Sequence, residues 1–188
     1  MNSPSILNAS SMAFLEKYLN NASPTGFESE GQKIWMDYLQ PYVDTFITDT
    51  YGTAVGIINP DAPFKVVIEG HADEIAWYVN YITEDGLVYV IRNGGSDHQI
   101  APSKRVNIHT KKGIIKGVFG WPAIHTRNRD KEENPKTSNI FIDLGCETKE
   151  EVEKYLSEKD IQQAKQDKWA LIEYKSLNGV EFEFQTFA

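Results

Sequence analysis

Apolar residues recur along this chain in two rhythms, and one gives way to the other near residue 75. The first rhythm is helical. In "SSMAFLEKYLNNA" the serines suit a helix start, and Leu15, Tyr18, Leu19 and Ala22 then form one stripe. "SPTG" interrupts the pattern, and "FESEGQKIWMDYL" resumes it. There Phe27, Ile34, Trp35 and Tyr38 share a face, Glu28 and Glu30 suit the first turn, and Pro41 lies just past the end. Two short β-like runs follow, "VDTFITDT" and "TAVGIINP". The turn "NPDAP" leads into "FKVVIEG", which reads as a third, buried strand.

The second rhythm is the alternation of strands. "IAWYVNYI" and "LVYVIR" flank the turn signal "TEDG", and "RVNIHT" and "IIKGVFG" flank "KKG". "NIFIDLG" is a further strand. No comparable helix is expected between residues 75 and 139, so this stretch predicts a small, mostly β, barrel-like module. The long polar segment "WPAIHTRNRDKEENPKTS" reads as a mobile loop. "TKEE" is a capping box that opens a helix with Val152, Tyr155 and Leu156 inward. The tail "KWALIEYKSLNGVEFEFQTFA" reads as a last hairpin around "SLNG".

Composition narrows the function classes. Of 188 residues, 40% are apolar, enough to bury a core and to exclude disorder. Twenty-seven acids against 19 Lys and Arg give a net charge of -8, which disfavours nucleic acid and anionic membranes as partners. The one cysteine, Cys146, excludes an internal disulfide framework and reads as a small buried side chain. The N-terminus has no basic start followed by an apolar run, and no stretch has the length of a membrane span, so a cytoplasmic protein is expected.

The candidate chemistry lies where the rhythms meet. "VVIEGHADEIAW" places Glu69, His71, Asp73 and Glu74 at the end of an apolar run. In an extended chain, residues two apart face the same side, so Glu69, His71 and Asp73 can share a face. The His71 imidazole suits a metal ion, and the Asp73 carboxylate can hold the other ring nitrogen. The spacing also fits a surface histidine beside two acids. His98, His109 and His125 read as solvated, as does the basic cluster "SKRVNIHTKKG". Glu69 and Glu74 are too close in sequence to suit the two acids of a glycosidase. "GFESEG" and "NGGSD" are turn glycines, without the Lys-Ser/Thr of a phosphate loop.

Taken in order, "SPTGFESEGQKIW", "DTYGTAVGII", "VVIEGHADEIAWYVNYITEDG", "IRNGGSDHQIAPSKRVNIHTKKGIIKGVFG" and "IFIDLGCETKEEVEK" resemble the metallo-aminopeptidases that include glutamyl and deblocking aminopeptidases. Some relatives carry the label cellulase or endoglucanase. The resemblance implies an α/β zinc-peptidase domain interrupted by a β-rich, barrel-like dimerisation domain. Residues 1–74 would then be the N-terminal part of the peptidase domain and 75–188 the inserted domain. It also implies two metal ions, zinc or cobalt, peptide substrates, and homo-oligomers built through the β-rich domain. His71 matches a metal-ligand position. Asp73 matches the aspartate that orients this histidine and is counted with the catalytic residues. The family's Asp-Asn/Asp-Arg motif and paired glutamates do not occur after "EFEFQTFA". The expectation is therefore an incomplete form of a metal-dependent aminopeptidase. The alternatives are a non-catalytic assembly or binding module of the same descent or, from the labels alone, an endoglucanase.

Overall fold

The computed structural model describes residues 7–110, 112–128, 130, 132–156 and, as backbone, 171–174. One compact unit runs to Glu74 and a second begins at Ile75.

The first unit holds helices α1 (Ala9–Leu19) and α2 (Ser29–Leu39) and the strands β1 (Thr45–Thr48) and β2 (Ala54–Ile57). Asn8, and not the serines, caps α1: its side chain accepts from the Ser11 N–H at 2.9 Å. The two helices meet through rings, with Phe14 stacked on Tyr38 at 4.1 Å and 12°. Strands β1 and β2 form an antiparallel hairpin whose turn is held by Asp49, which accepts from the Tyr51 and Thr53 N–H groups. Trp35 of α2 meets Phe46 of β1 edge-on.

The expected third strand is a correction. Residues 64–70 join no sheet, and Phe64, Val66, Val67 and Ile68 are 74–95% exposed. An apolar run gains burial only where other elements cover both of its faces, and among the described residues none does so here. The whole unit shares this trait: among its described residues, the buried ones are Ser23, Pro24, Gly31 and Glu74.

The second unit is a closed six-stranded barrel. Its strands are β3 (Ala76–Ile82), β4 (Val88–Asn93), β5 (Arg105–Thr110), β6 (Gly113–Gly120), β7 (Phe141–Asp143) and β8 (Leu171–Tyr174). Around the barrel the order is β3-β4-β7-β6-β5-β8, every neighbour antiparallel. Closure leaves no open edge. Alternate residues point inward: Val88 and Val90 from β4, Val106 and Ile108 from β5, Phe119 from β6. On β3 the inward set is Trp77, Val79 and Ile82, whose spacing changes parity. A bulge between Val79 and Tyr81 absorbs the extra residue. Trp77 meets Phe119 edge-on at 5.4 Å in the middle of the core. Gly117 faces inward where a Cβ would collide with Ile142 and Leu144, so only glycine fits the approach of β7.

Helix α3 (Lys149–Tyr155) adds Val152 to this core, and Leu156 follows at its end. Thr148 caps it by accepting from the Glu151 N–H, while the Glu151 carboxylate reaches the Glu147 N–H. Tyr155, expected inward, is 54% exposed. Cys146 is half-buried against the core, and burial, then the nearby Glu151 and Asp143 charges, push its thiol up. In the long loop, a short 3-10 turn (Ile124–Thr126) precedes Arg127, which lies over the Trp121 ring at 4.0 Å and pairs with Glu132. The second strand of the expected terminal hairpin lies outside the described residues.

Candidate metal-ligand site

The site belongs to the first unit and joins two loops that are 48 residues apart. One is the breaker between the helices, Ser23–Pro24–Thr25. The other is the end of the exposed run, His71–Ala72–Asp73–Glu74. Three fasteners hold them together. The Glu74 N–H donates to the Ser23 carbonyl at 2.8 Å, the Ser23 N–H donates to the Glu74 carboxylate at 2.6 Å, and Pro24 and Glu74 form a parallel bridge. Glu74 is 7% exposed. Its carboxylate serves as a buried backbone acceptor, which removes it from any pairing with the exposed Glu69. Its charge, after burial, helps to raise the Tyr18 phenol. Asn21 Nδ2 donates to Ser23 Oγ at 2.9 Å, and Gly31 at the start of α2 packs onto that oxygen.

On this base stands a three-residue chain. Thr25 Oγ1 donates to Asp73 Oδ2 at 2.6 Å, and the other oxygen, Oδ1, lies 2.8 Å from His71 Nδ1. An ionised carboxylate only accepts, so Nδ1 carries the proton. The Asp73 carbonyl, 2.9 Å from the same nitrogen, requires the same assignment. The lone pair of the neutral ring is then on Nε2, and the His71 side chain is half exposed. The Thr25 hydroxyl, first among the causes, holds the Asp73 carboxyl below the usual aspartate range; burial opposes it, and the His71 bond and charge add to it.

Of the residues singled out in the sequence, His71 and Asp73 therefore meet. Glu69 does not join them in any hydrogen bond described. His98 and His109 belong to the second unit, and each is more shielded than expected: a ring nitrogen of each is out of contact with solvent. His125 is exposed. Among the described residues, no group of three or more His, Cys, Asp and Glu side chains is placed to hold a metal ion. Thr25 was not singled out at all. Its only sequence signal is a hydroxyl next to a proline in a helix break, which ordinarily marks a turn.

The model of the M42 glutamyl aminopeptidase family matches residues 52–174, a span that includes His71 and Asp73 and all of the barrel strands. The chain belongs to that family. Similar proteins include the Escherichia coli (strain K12) protein FrvX, whose name proposes an aminopeptidase. It is 33% identical over 74% of this chain and 40% of its own length. The TET aminopeptidase of Thaumarchaeota archaeon SCGC AB-539-E09 superposes with a TM-score of 0.71 at 27% identity, over 76% of this chain and 40% of that one. The TET1 peptidase of Pyrococcus horikoshii, reported to assemble into a tetrahedron or a large octahedral shell, superposes with a TM-score of 0.58 at 26% identity, over 78% and 44%. This M42 chain thus spans about two fifths of the length of the relatives it matches. Its mixed α/β architecture is that of the M42 aminopeptidases.

Proposed function

We infer that these residues form one wall of the active site of a metal-dependent aminopeptidase, which removes residues from peptide N-termini by two-metal hydrolysis. The observation that carries this is the His71–Asp73 pair: one ring nitrogen is bound to a carboxylate, and the side chain is half exposed. Such pairs fix the tautomer and make the ligating nitrogen more basic. A bound zinc or cobalt ion supplies an acidified water and a polarised scissile carbonyl. This chain's part is to present Nε2 and to hold its direction through Asp73. Zinc takes three or four ligands. The described residues supply one, so the remaining ligands and the general base come from outside them.

On this reading the first unit is the N-terminal part of the peptidase domain. The barrel is the inserted domain through which copies associate in the cytoplasm. A second reading is a non-catalytic assembly module. It is favoured by the distribution of burial, since among the described residues the hydrophobic core cluster lies entirely in the second unit. An endoglucanase reading has no support from the acids, because Glu74 is occupied by the Ser23 backbone.

The test uses the natural gene product that carries these residues, whatever its length. Hydrolysis of aminoacyl-p-nitroanilides with added zinc or cobalt is expected, abolished by His71→Ala and cut by about 10- to 100-fold by Asp73→Asn, the usual range for a residue that holds a metal-binding histidine. No turnover, together with oligomers of intact fold, would favour the assembly module.

A further inference from the structure

We propose that the outer face of the β5–β6 hairpin is a docking surface for an acidic polypeptide, one that brings apolar side chains together with its carboxylates. The proposal is independent of the reading of His71.

The face arises from a segregation of charge along the chain. Residues 98–129 carry seven Lys and Arg and none of the 27 acids. Pairing of β5 with β6 gathers part of this segment on one side of the barrel. Val106 and Ile108 point inward, so Arg105 and Asn107 point outward; Phe119 points inward, so Lys116 and Val118 point outward. Arg105 stands opposite Val118 and Asn107 opposite Lys116, with Lys104 just before β5 and Lys112 just before β6. Opposite charges across a strand pair stabilise it, and like charges do the reverse. This hairpin supplies cations only. Lys112 Nζ donates to the Lys154 carbonyl, and among the described residues the Lys104 and Arg105 side chains have no hydrogen bond or ion pair. Two acids border the face. Asp143 of β7 lies opposite Val118 and accepts from the Gly145 N–H, and Glu173 of β8 is in register with Asn107. Lys104, Arg105, Lys112 and Lys116 therefore leave it with an excess of positive charge.

Two further features select the partner. Ile114 and Val118 share the outer side of β6 and are 54% and 44% exposed. Sites for nucleic acid strands set stacking aromatic rings among their cations. Bare aliphatic side chains between cations fit instead a polypeptide that carries both carboxylates and apolar groups. The barrel is closed, so the partner meets side chains and does not add a strand. The net charge of -8 does not forbid this, because salt screens charges more than about 8 Å away and leaves the local face to govern docking.

The experiment titrates a peptide of alternating Glu and Leu into the nitrogen-labelled 188-residue chain and follows the backbone amide signals. Shifts are expected on β5 and β6, centred on Arg105, Lys116 and Val118, with an affinity that falls as salt is raised. Lys104→Glu combined with Arg105→Glu should weaken binding by about ten-fold, as the loss and reversal of exposed ion pairs would. If that variant does not fold, Lys104→Gln with Arg105→Gln should weaken it several-fold. Ile114→Ser should weaken it while leaving the salt dependence unchanged. No shift on β5 and β6 overturns the proposal, and so does undiminished binding by a folded charge variant. Tighter binding of oligothymidylate at the same residues would mean a phosphate chain and overturns it too. The same shifts on concentrating the chain without peptide would mean a second copy, and likewise overturn it.

Discussion

Nδ1 of His71 lies 2.8 Å from Oδ1 of Asp73, and both belong to a segment that joins no sheet. No sheet orients the ring; the carboxylate and the carbonyl of Asp73 both hold its Nδ1. One oriented imidazole is a weak zinc site, because stable sites take three or four ligands. The 188-residue chain should bind zinc weakly in calorimetry, and His71→Ala should remove the remaining heat. A tight one-to-one site abolished by that substitution would show that further ligands come from residues beyond those described.

The burial pattern separates two kinds of apolar residue. Trp77 and Phe119 are fully enclosed in the barrel, whereas Ile68 is 95% exposed. Phe119→Ala should cost about 3–5 kcal/mol, the usual range for deleting a buried aromatic side chain. Ile68→Thr should change stability by less than about 0.5 kcal/mol. Urea unfolding followed by circular dichroism compares them. A large loss from Ile68→Thr would mean that the exposed run is covered in solution, as by a second polypeptide or another copy.

Gly31 lies where α2 meets the breaker loop, and a methyl group there would fall on Ser23 Oγ. Gly31→Ala should destabilise the first unit by about 1–3 kcal/mol, as overpacking does. It should also shift the His71 ring signals, since Ser23 is bonded to Glu74. Ser23→Ala in the same chain removes the offending oxygen and should return part of the loss.

The turn between β1 and β2 sets a pH dependence. The Thr53 N–H, ahead of the other turn groups, holds the Asp49 carboxyl below its ordinary value. The folded value lies below the unfolded one of about 3.9, so the stabilisation is complete above about pH 3.9. It is lost as pH falls from there through the lower folded value. The Tyr51 and Thr53 amide signals should hold steady down to about pH 4 and move below it. Asp49→Asn should flatten the response.

The barrel was legible in the sequence because its strands obey a period-two rule that holds locally: Val88 and Val90, or Val106 and Ile108, betray their inward face within one strand. The exposed run misled for the same reason. "FKVVIEG" has the composition of a buried strand, but burial depends on neighbours that composition does not name. Tyr155 failed likewise, since Val152 and Leu156 fill the core position without it. His71 and Asp73 were found because they stand two residues apart. Thr25 was missed because its partner is 48 residues away, and a hydroxyl in a Pro-Thr-Gly break has no local mark of that use.

The closing strand of the barrel has a consequence in time. Trp77 of β3 pairs with Ile172 of β8, 95 positions later in the chain. At synthesis rates of about 5–20 residues per second, β3 waits roughly 5–20 s before its second neighbour exists. During that interval both flanking strands, β3 and β5, present bare backbone edges open to pairing with other chains. The seam is also the most non-local contact of the barrel, and its loop-closure entropy must be met before its hydrogen bonds form. Refolding of the isolated barrel should accordingly be slow and limited by this seam, with the hairpins β3–β4 and β5–β6 protected from hydrogen exchange well before residues 171–174.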